Sequence, residues 1–180
     1  MSEELNLTVL QQAIAEQYPE IVLTAMSPAE LVFETRVTMS CFYCKNYDRN
    51  WHCPPRTPKI DYQRMMLEYG RGAFALISLP FDENNFSEIR ARSTNDLHQA
   101  LLKLEKVLWD HDFPMALSFI GGSCKLCKNG CGTERCNHPY QARMPLEATG
   151  VNVIESAKKY GIELHFPPKT VLKRLGLLLW

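Results

Sequence analysis

The residues with the clearest chemistry are four cysteines within a glycine-rich stretch of thirteen residues. Cys124, Cys127, Cys131 and Cys136 are separated by two, three and four residues. The stretch has no apolar period, so packing in a core does not explain four thiols. Glycines beside them let the chain turn tightly and approach a bound object closely. The spacing predicts a loop that folds around a metal ion or an iron–sulfur cluster.

A second group of cysteines lies earlier in the chain and supplies only three thiols. Cys41, Cys44 and Cys53 form it, and a Cys-Pro pair ends it. A cubane cluster held by three thiolates keeps one iron for water, substrate or another side chain. By analogy with zinc enzymes, such an open position marks a reactive metal site. A partner chain is one source of the fourth ligand, and the local candidates are Tyr47, Asp48 and His52.

Two kinds of metal centre compete for these seven thiols. Compact cysteine runs with short gaps are typical of [4Fe–4S] clusters. Structural zinc more often uses two separated Cys-x2-Cys pairs, which here would be Cys41, Cys44, Cys124 and Cys127. The zinc arrangement leaves the other three cysteines without a role. A third interpretation, seven unrelated cysteines buried in a core, would make the two Cys-x2-Cys pairs a coincidence. The pattern favours iron–sulfur over zinc.

Positive charge surrounds both cysteine groups, although the whole chain is neutral. Residues 41–59 and residues 121–145 each carry four cationic side chains and one acidic side chain, a net charge of +3. Metal–thiolate centres are anionic, and nearby cations stabilise that charge. The same excess can attract an anionic substrate. With 20 Lys and Arg against 20 Asp and Glu overall, no nucleic-acid partner is expected.

Single residues near the two groups predict supporting roles. We expect the aromatic side chains beside the first group to shield the centre from water; they are Phe42, Tyr43, Tyr47 and Trp51. His138 follows the last cysteine closely and is expected in a turn or as a hydrogen-bond partner of a ligand. Arg143 and Glu147 could hold substrate or pair with each other, and the sequence favours a surface salt bridge between them.

The elements that must position the cysteines alternate between helix and strand. Period and cap signals predict helices over 5–18, 57–70 (with Thr57 as N-cap), 96–109 and 152–160. Strands are predicted over 21–24, 31–38, 73–79, 115–120, 162–166 and 171–180, and residues 81–95 are predicted to be an irregular surface segment. This alternation predicts an α/β fold with a mixed or mostly parallel sheet flanked by helices. Residues 73–79 are almost continuously apolar, as in a strand covered on both faces.

Each cysteine group begins near the carboxyl end of a predicted strand. In α/β sheets, ligand sites gather at that end. We therefore expect two cysteine-rich metal-binding loops at strand carboxyl ends, on one edge of the sheet.

Length and composition limit the organisation and location of the protein. A chain of 180 residues with 46% apolar content can bury one core, so a single domain over 1–180 is expected. No signal segment or membrane span is recognisable, which predicts a cytoplasmic protein with reduced thiols. Seven cysteines also cannot all pair as disulfides. No Ser-His-Asp set, carboxylate pair or nucleotide-binding glycine motif identifies an enzyme class.

The combined motifs resemble a cysteine-rich domain-of-unknown-function family described as predicted metal-binding proteins. The resemblance covers about residues 30–180. It is carried by Cys41-x2-Cys44-x2-Tyr47-x2-Asn50-Trp51-x-Cys53-Pro54-Pro55, Gly121-Gly122-x-Cys124-x-Leu126-Cys127, Cys136-x-His138-Pro139-x3-Arg143 and Glu147-Ala148-x-Gly150-Val151-x-Val153. It implies that the seven cysteines are the ligand set of a prokaryotic cytoplasmic protein, and it implies no particular reaction.

Together these observations predict an iron–sulfur protein with one or two [4Fe–4S] clusters. The expected activity is electron transfer or redox chemistry with a partner protein or a small-molecule substrate. Two alternatives stay open: an enzyme that uses an open iron as a Lewis acid or sulfur acceptor, and a zinc-stabilised interaction module.

Overall fold

The computed structural model describes residues 5–180, so the expected single domain over 1–180 includes four residues outside the described part. The strands are β1 Ile21–Met26, β2 Gly72–Pro80, β3 Leu117–Phe119 and β4 Val171–Leu179. The α-helices are α1 Leu7–Ala15, α2 Thr35–Phe42, α3 Tyr62–Met66, α4 Phe86–Trp109 and α5 Val153–Lys158. Two 3₁₀ turns span Pro28–Glu30 and Leu146–Thr149.

The four strands form one sheet in the order β1-β2-β4-β3, and every neighbouring pair is antiparallel. The mixed α/β content is confirmed, but the prediction of a mixed or mostly parallel sheet is wrong. It rested on the alternation of predicted helices and strands, and the continuous apolar run in β2, which is buried on both faces, gave no contrary signal. Burial on both faces removes the apolar–polar alternation whatever the direction of the neighbouring strands.

Helices α1 and α4 cover one face of the sheet. The α4 stripe of Leu97, Leu101, Leu104 and Leu108 is fully buried there. At Gly176 on β4, a Cβ atom would lie 2.7 Å from Leu101 Cδ1, so glycine lets the helix approach the strand closely. The predicted helix over 96–109 is confirmed but begins earlier, at Phe86. Residues 86–95 had appeared irregular because most of their side chains are polar.

The other face of the sheet carries a second core built on the aromatic rings of Phe74 and Phe119. Helix α5 and the 3₁₀ turn Leu146–Thr149 pack there, and α3 contributes Met66. Helix α3 is shorter than the helix predicted over 57–70, and its N-cap is Asp61 rather than Thr57.

Two predicted strands are absent from the described chain. In the segment 31–38, only Phe33 makes a β-bridge, to Val151, and helix α2 begins at Thr35. Its β-branched side chains suggested a strand, but no residue of α2 is buried in a sheet core. Residues 162–166 form no strand either. The first cysteine group therefore begins on a helix, while the second follows β3 as predicted.

Among residues 5–180, no helix combines the length and apolarity needed to cross a membrane.

Candidate metal centre

One segment of the chain, residues 144–152, anchors both cysteine groups. On one side it closes the base of the second group, since Ile120 N donates to Met144 O at 3.0 Å and Leu146 N donates to Ile120 O at 2.9 Å. On the other side it holds the entry to α2, since Glu34 N donates to Gly150 O at 2.9 Å. Both groups therefore start from neighbouring points of one scaffold.

The two cysteine loops also contact each other directly. Trp51 Nε1 donates to Gly132 O at 2.7 Å. Asn50 Nδ2 donates to the backbone oxygen of Cys124 at 3.3 Å, and Asn46 Nδ2 donates to Ser123 Oγ at 3.1 Å. Side chains of the first loop thus hydrogen-bond to the second loop at points from Ser123 to Gly132.

Cys53 lies where the two groups meet. Its side chain is buried, with 7% of the residue exposed. Burial and, to a smaller extent, the negative charges of the Cys44, Cys41, Cys124 and Cys131 thiolates together raise the pKa of Cys53 to about 12. Cysteine charges of both loops therefore act on this thiol.

In the second group, the charges of the other three cysteines act on Cys124. Burial raises the pKa of Cys124, a hydrogen bond from the backbone of Leu126 opposes the rise, and the charges of Cys131, Cys136 and Cys127 add to it. All seven cysteines of the chain are free thiols. Amide groups also face sulfur atoms: Asn137 Nδ2 lies 3.6 Å from Cys127 Sγ, and Asn46 Nδ2 lies 3.7 Å from Cys44 Sγ.

The donor set has the chemistry of a thiolate metal centre. Thiolates select zinc and iron–sulfur clusters over hard cations, and N–H donors to sulfur tune such centres. Within residues 5–180, no three or more His, Cys, Asp or Glu side chains are arranged to hold a single metal ion. A tetrahedral zinc site would bring its sulfurs to about 3.8 Å from one another, given a Zn–S bond of about 2.3 Å. A cubane keeps its ligands further apart because iron and sulfide lie between them.

Residues 24–180 match the model of a family described as Predicted metal-binding protein (DUF2284). The chain belongs to this family. The resemblance expected from the cysteine motifs is thus confirmed, and the family description agrees with the prediction of metal binding. No curated protein and no solved structure gives a significant match to the chain.

The DUF2284 chain places the three predicted fourth ligands in different surroundings. Asp48 Oδ1 accepts a hydrogen bond from Arg56 Nε at 2.9 Å, in an exposed ion pair. The ring of Tyr47 packs edge-on against Phe42 with centroids 5.1 Å apart. His52 Nε2 is buried without a hydrogen-bond partner in residues 5–180. Burial lowers the pKa of His52, and the charge of Arg143 lowers it further.

The aromatic residues of the first loop divide into two groups. Phe42 and Tyr43 are 52% and 78% exposed, so the prediction that they shield the centre from water is wrong. Trp51 is half-buried between the loops, and the guanidinium of Arg56 lies 4.6 Å above its ring. Phe42, Tyr47, Pro54 and Pro55 instead line a shallow apolar groove of about 380 Å³.

Arg143 pairs with Glu105 in the interior, so the predicted surface salt bridge between Arg143 and Glu147 is wrong. Glu105 Oε1 accepts from Arg143 Nε at 2.8 Å and from Ser118 N at 2.7 Å, and Arg143 Nη2 bonds Glu105 Oε2. Arg143 Nη1 also donates to Tyr140 O at 3.1 Å. The pair with Glu105 joins this end of the second loop to α4. In the sequence, this interior ion pair was indicated only by the position of an acidic residue, Glu105, beside the apolar stripe of α4.

Glu147 is the second charged residue that the sequence prediction misplaced. Its Oε2 atom is buried and has no hydrogen-bond partner in the described part of the chain. Burial raises the pKa of Glu147, while its own backbone, the Arg174 guanidinium and the backbone of Gly122 oppose the rise. The Glu147 charge in turn acts on Cys41.

His98 on α4 lies behind the second loop. Its Nε2–H donates to Gln141 O at 2.8 Å, and the residue is 1% exposed. Burial lowers the pKa of His98; the hydrogen bond to Gln141 and the charge of Glu105 raise it, while Arg143 and His52 lower it. The imidazole is therefore neutral in the folded protein near pH 7.

Proposed function

We propose that this protein is an iron–sulfur protein whose two cysteine loops hold one or two [4Fe–4S] clusters in one shared centre. It passes electrons to or from a partner protein or a small-molecule substrate. The observation that carries the proposal is Cys53, a buried thiol in the first of two cysteine loops that hydrogen-bond to each other. Seven thiols exceed the four that one zinc ion binds, and the second loop has the short gaps typical of cluster ligands.

Each loop has a distinct part in this proposal. Cys124, Cys127, Cys131 and Cys136 would hold one cluster, and Cys41, Cys44 and Cys53 would hold the second. A bound cluster supplies one-electron redox chemistry, with a potential set by charge, hydrogen bonds to sulfur and solvent exposure. The chain supplies those three controls through its local net positive charge, its amide groups near sulfur and its half-buried thiols.

The surface beside the first loop offers a place for the second reactant. Cys44 is exposed, and the apolar groove formed by Phe42, Tyr47, Pro54 and Pro55 lies in the same loop. Electron exchange requires close approach of donor and acceptor, and an exposed ligand shortens that distance. A flat substrate or a partner side chain that packs in the groove would lie next to the centre.

Zinc binding is the second candidate, and one contact favours it. Asn46 Nδ2 lies within reach of both Cys44 Sγ and Ser123 Oγ, so the two Cys-x2-Cys pairs are adjacent in space. One zinc ion bound by Cys41, Cys44, Cys124 and Cys127 would join the loops without redox chemistry.

Metal and sulfide analysis of anaerobically purified protein tests the proposal. We expect about four or about eight iron atoms per chain, an equal amount of acid-labile sulfide and a brown colour. Cys53→Ser should lower the iron content, whereas the exposed Ser40→Ala next to the first group should leave it unchanged. A colourless protein with stoichiometric zinc would refute the iron–sulfur proposal and support the zinc module.

Reduction tests the electron-transfer part separately. Dithionite should bleach the visible absorption, and a mild oxidant should restore it. An iron–sulfur protein whose spectrum does not respond to reductant, but changes when small molecules are added, would contradict electron transfer and favour the enzyme with an open iron.

A further inference from the structure

We propose that Glu147 is the oxygen ligand that completes the three-cysteine site of Cys41, Cys44 and Cys53. This inference rests on the proposed iron–sulfur function and deepens it. It assigns the open iron position to a residue that the sequence pattern did not suggest, more than ninety residues away in the chain.

The position of the 3₁₀ turn Leu146–Thr149 brings Glu147 to the first loop. Helix α2 packs against this turn. Cys41 lies in the last turn of α2, and its Sγ atom lies 3.9 Å from the backbone oxygen of Glu147. The carboxylate is also within charge-interaction range of Cys41.

The carboxylate has an unused acceptor. Glu147 Oε2 is buried and lacks a hydrogen-bond partner within residues 5–180. A buried acceptor without a partner is destabilising, so such atoms in folded proteins usually have a partner or a role in ligand binding. A carboxylate oxygen is an established iron ligand, and coordination would satisfy it.

Arg174 is close to Glu147 but is held by other groups. Its Nη1 donates to Gly121 O at 3.1 Å, and its Nε donates to Ser93 Oγ at 3.1 Å. A Cβ atom at Gly122 would lie 2.6 Å from Arg174 Nη1, so the glycine leaves room for the guanidinium. Arg174 thus places a positive charge near the carboxylate, which partly opposes the pKa rise caused by burial, without occupying Oε2.

His52 is the strongest rival because its Nε2 atom is also buried without a partner. However, apart from burial, the charge of Arg143 lowers the pKa of His52, and His52 in turn lowers the pKa of His98. Arg143 and His98 lie at the end of the second loop and on α4, whereas Glu147 acts on Cys41 itself. Asp48 is held in its exposed ion pair with Arg56.

Mössbauer spectroscopy of protein reconstituted anaerobically with iron-57 and sulfide tests the assignment. We expect wild-type protein to show one iron sub-site that differs from thiolate-ligated iron. Glu147→Gln should shift or remove that sub-site and release iron to a chelator about tenfold faster or more. The matched variants His52→Gln and Asp48→Asn should keep the wild-type sub-site.

Three results would overturn the assignment. The first is a Glu147→Gln spectrum identical to that of wild type, and the second is a sub-site that disappears in His52→Gln but stays in Glu147→Gln. The third is a wild-type spectrum in which all irons of the clusters are alike. Wild-type protein that retains no iron or sulfide would instead refute the proposed function. If Glu147→Gln fails to fold, pulsed magnetic resonance of reduced wild-type protein in oxygen-17 water decides. A strong oxygen-17 coupling would identify water as the ligand and refute Glu147, and its absence beside a distinct sub-site supports the carboxylate.

Discussion

The buried pair of Glu105 and Arg143 should determine whether the second cysteine loop stays attached to the sheet and helix α4. The Glu105 side chain is 1% exposed and the Arg143 side chain is 12% exposed. Glu105 Oε1 also accepts from Ser118 Oγ at 2.5 Å and from Ser118 N at 2.7 Å, so the carboxylate is fully satisfied. Replacement of Glu105 by leucine would leave the guanidinium buried without its partner.

The expected loss of stability follows from that burial. Removal of one partner of a buried ion pair costs about 3–5 kcal/mol. Because Arg143 retains some exposure and keeps its backbone contacts, we expect Glu105→Leu to fall near the lower end, about 3 kcal/mol. For a chain of this size that lowers Tm by about 6–12 °C. The double variant Glu105→Leu/Arg143→Met should recover part of the loss, because it leaves no unpaired charge, although Ser118 N and Oγ still lack their acceptor.

Urea unfolding at equal metal content measures these free energies, and chelator extraction of metal measures loop attachment in the same samples. Asp110→Asn is the matched control, since it breaks the exposed pair of Lys106 and Asp110 on the same helix and should cost less than about 0.5 kcal/mol. A loss below about 1 kcal/mol in Glu105→Leu, or a double variant no more stable than the single one, would refute the reasoning.

Three further predictions concern the loops and α4. Trp51→Phe removes the 2.7 Å hydrogen bond to Gly132, so we expect a loss of about 1 kcal/mol in urea unfolding and faster metal extraction. Gly121→Ala should be strongly destabilising, because its Cβ atom would lie 2.5 Å from a backbone oxygen of β4. In Gly130→Ala the Cβ atom has no neighbour within 4 Å, so only the positive φ destabilises this variant, by about 1 kcal/mol. Burial lowers the pKa of His98, so folding favours the neutral imidazole. The stabilisation from neutral His98 is fully present above about pH 6.5 and is lost as the pH falls below that value. His98→Gln should weaken this pH dependence of the unfolding free energy.

Each of these predictions has a clear contrary result. Unchanged metal extraction in Trp51→Phe would show that the loops are held together elsewhere. Equal stability of the two alanine variants at Gly121 and Gly130 would contradict the close approach to β4. An identical pH profile of unfolding in His98→Gln and wild type would show that the imidazole is not desolvated.

Most elements of the fold were predictable because their signals are local. The apolar stripe of α4 and the apolar runs of β2 and β4 predicted a helix and two strands that the structure confirms. The direction of the strands was not predictable, because burial on both faces gives the same pattern in parallel and antiparallel sheets. Segment 31–38 misled for another reason: its β-branched residues favour a strand, but tertiary contacts with segment 144–152 place α2 there.

The cysteines of the candidate site were recognisable from type and spacing, whereas the residues that support them were not. Asn46, Asn50 and Trp51 join the two loops through contacts that span more than seventy residues of sequence. Arg143 and Glu147 appeared to be a local surface pair, yet Arg143 pairs with Glu105 on α4, and Glu147 is buried where the charge of Arg174 on β4 acts on it. Sequence separation hides such contacts because only the folded backbone brings their residues together.

The central claim is that both cysteine loops belong to one metal centre, and thiol protection tests it most directly. Protein with bound metal is treated with an alkylating reagent, and the label on each of the seven cysteines is counted by mass spectrometry before and after gradual metal removal. The account predicts that Cys41, Cys44 and Cys53 are protected together with the four cysteines of the second loop, and that Cys53 becomes reactive only when both loops lose metal. Full reactivity of the first group while the second stays protected would contradict it.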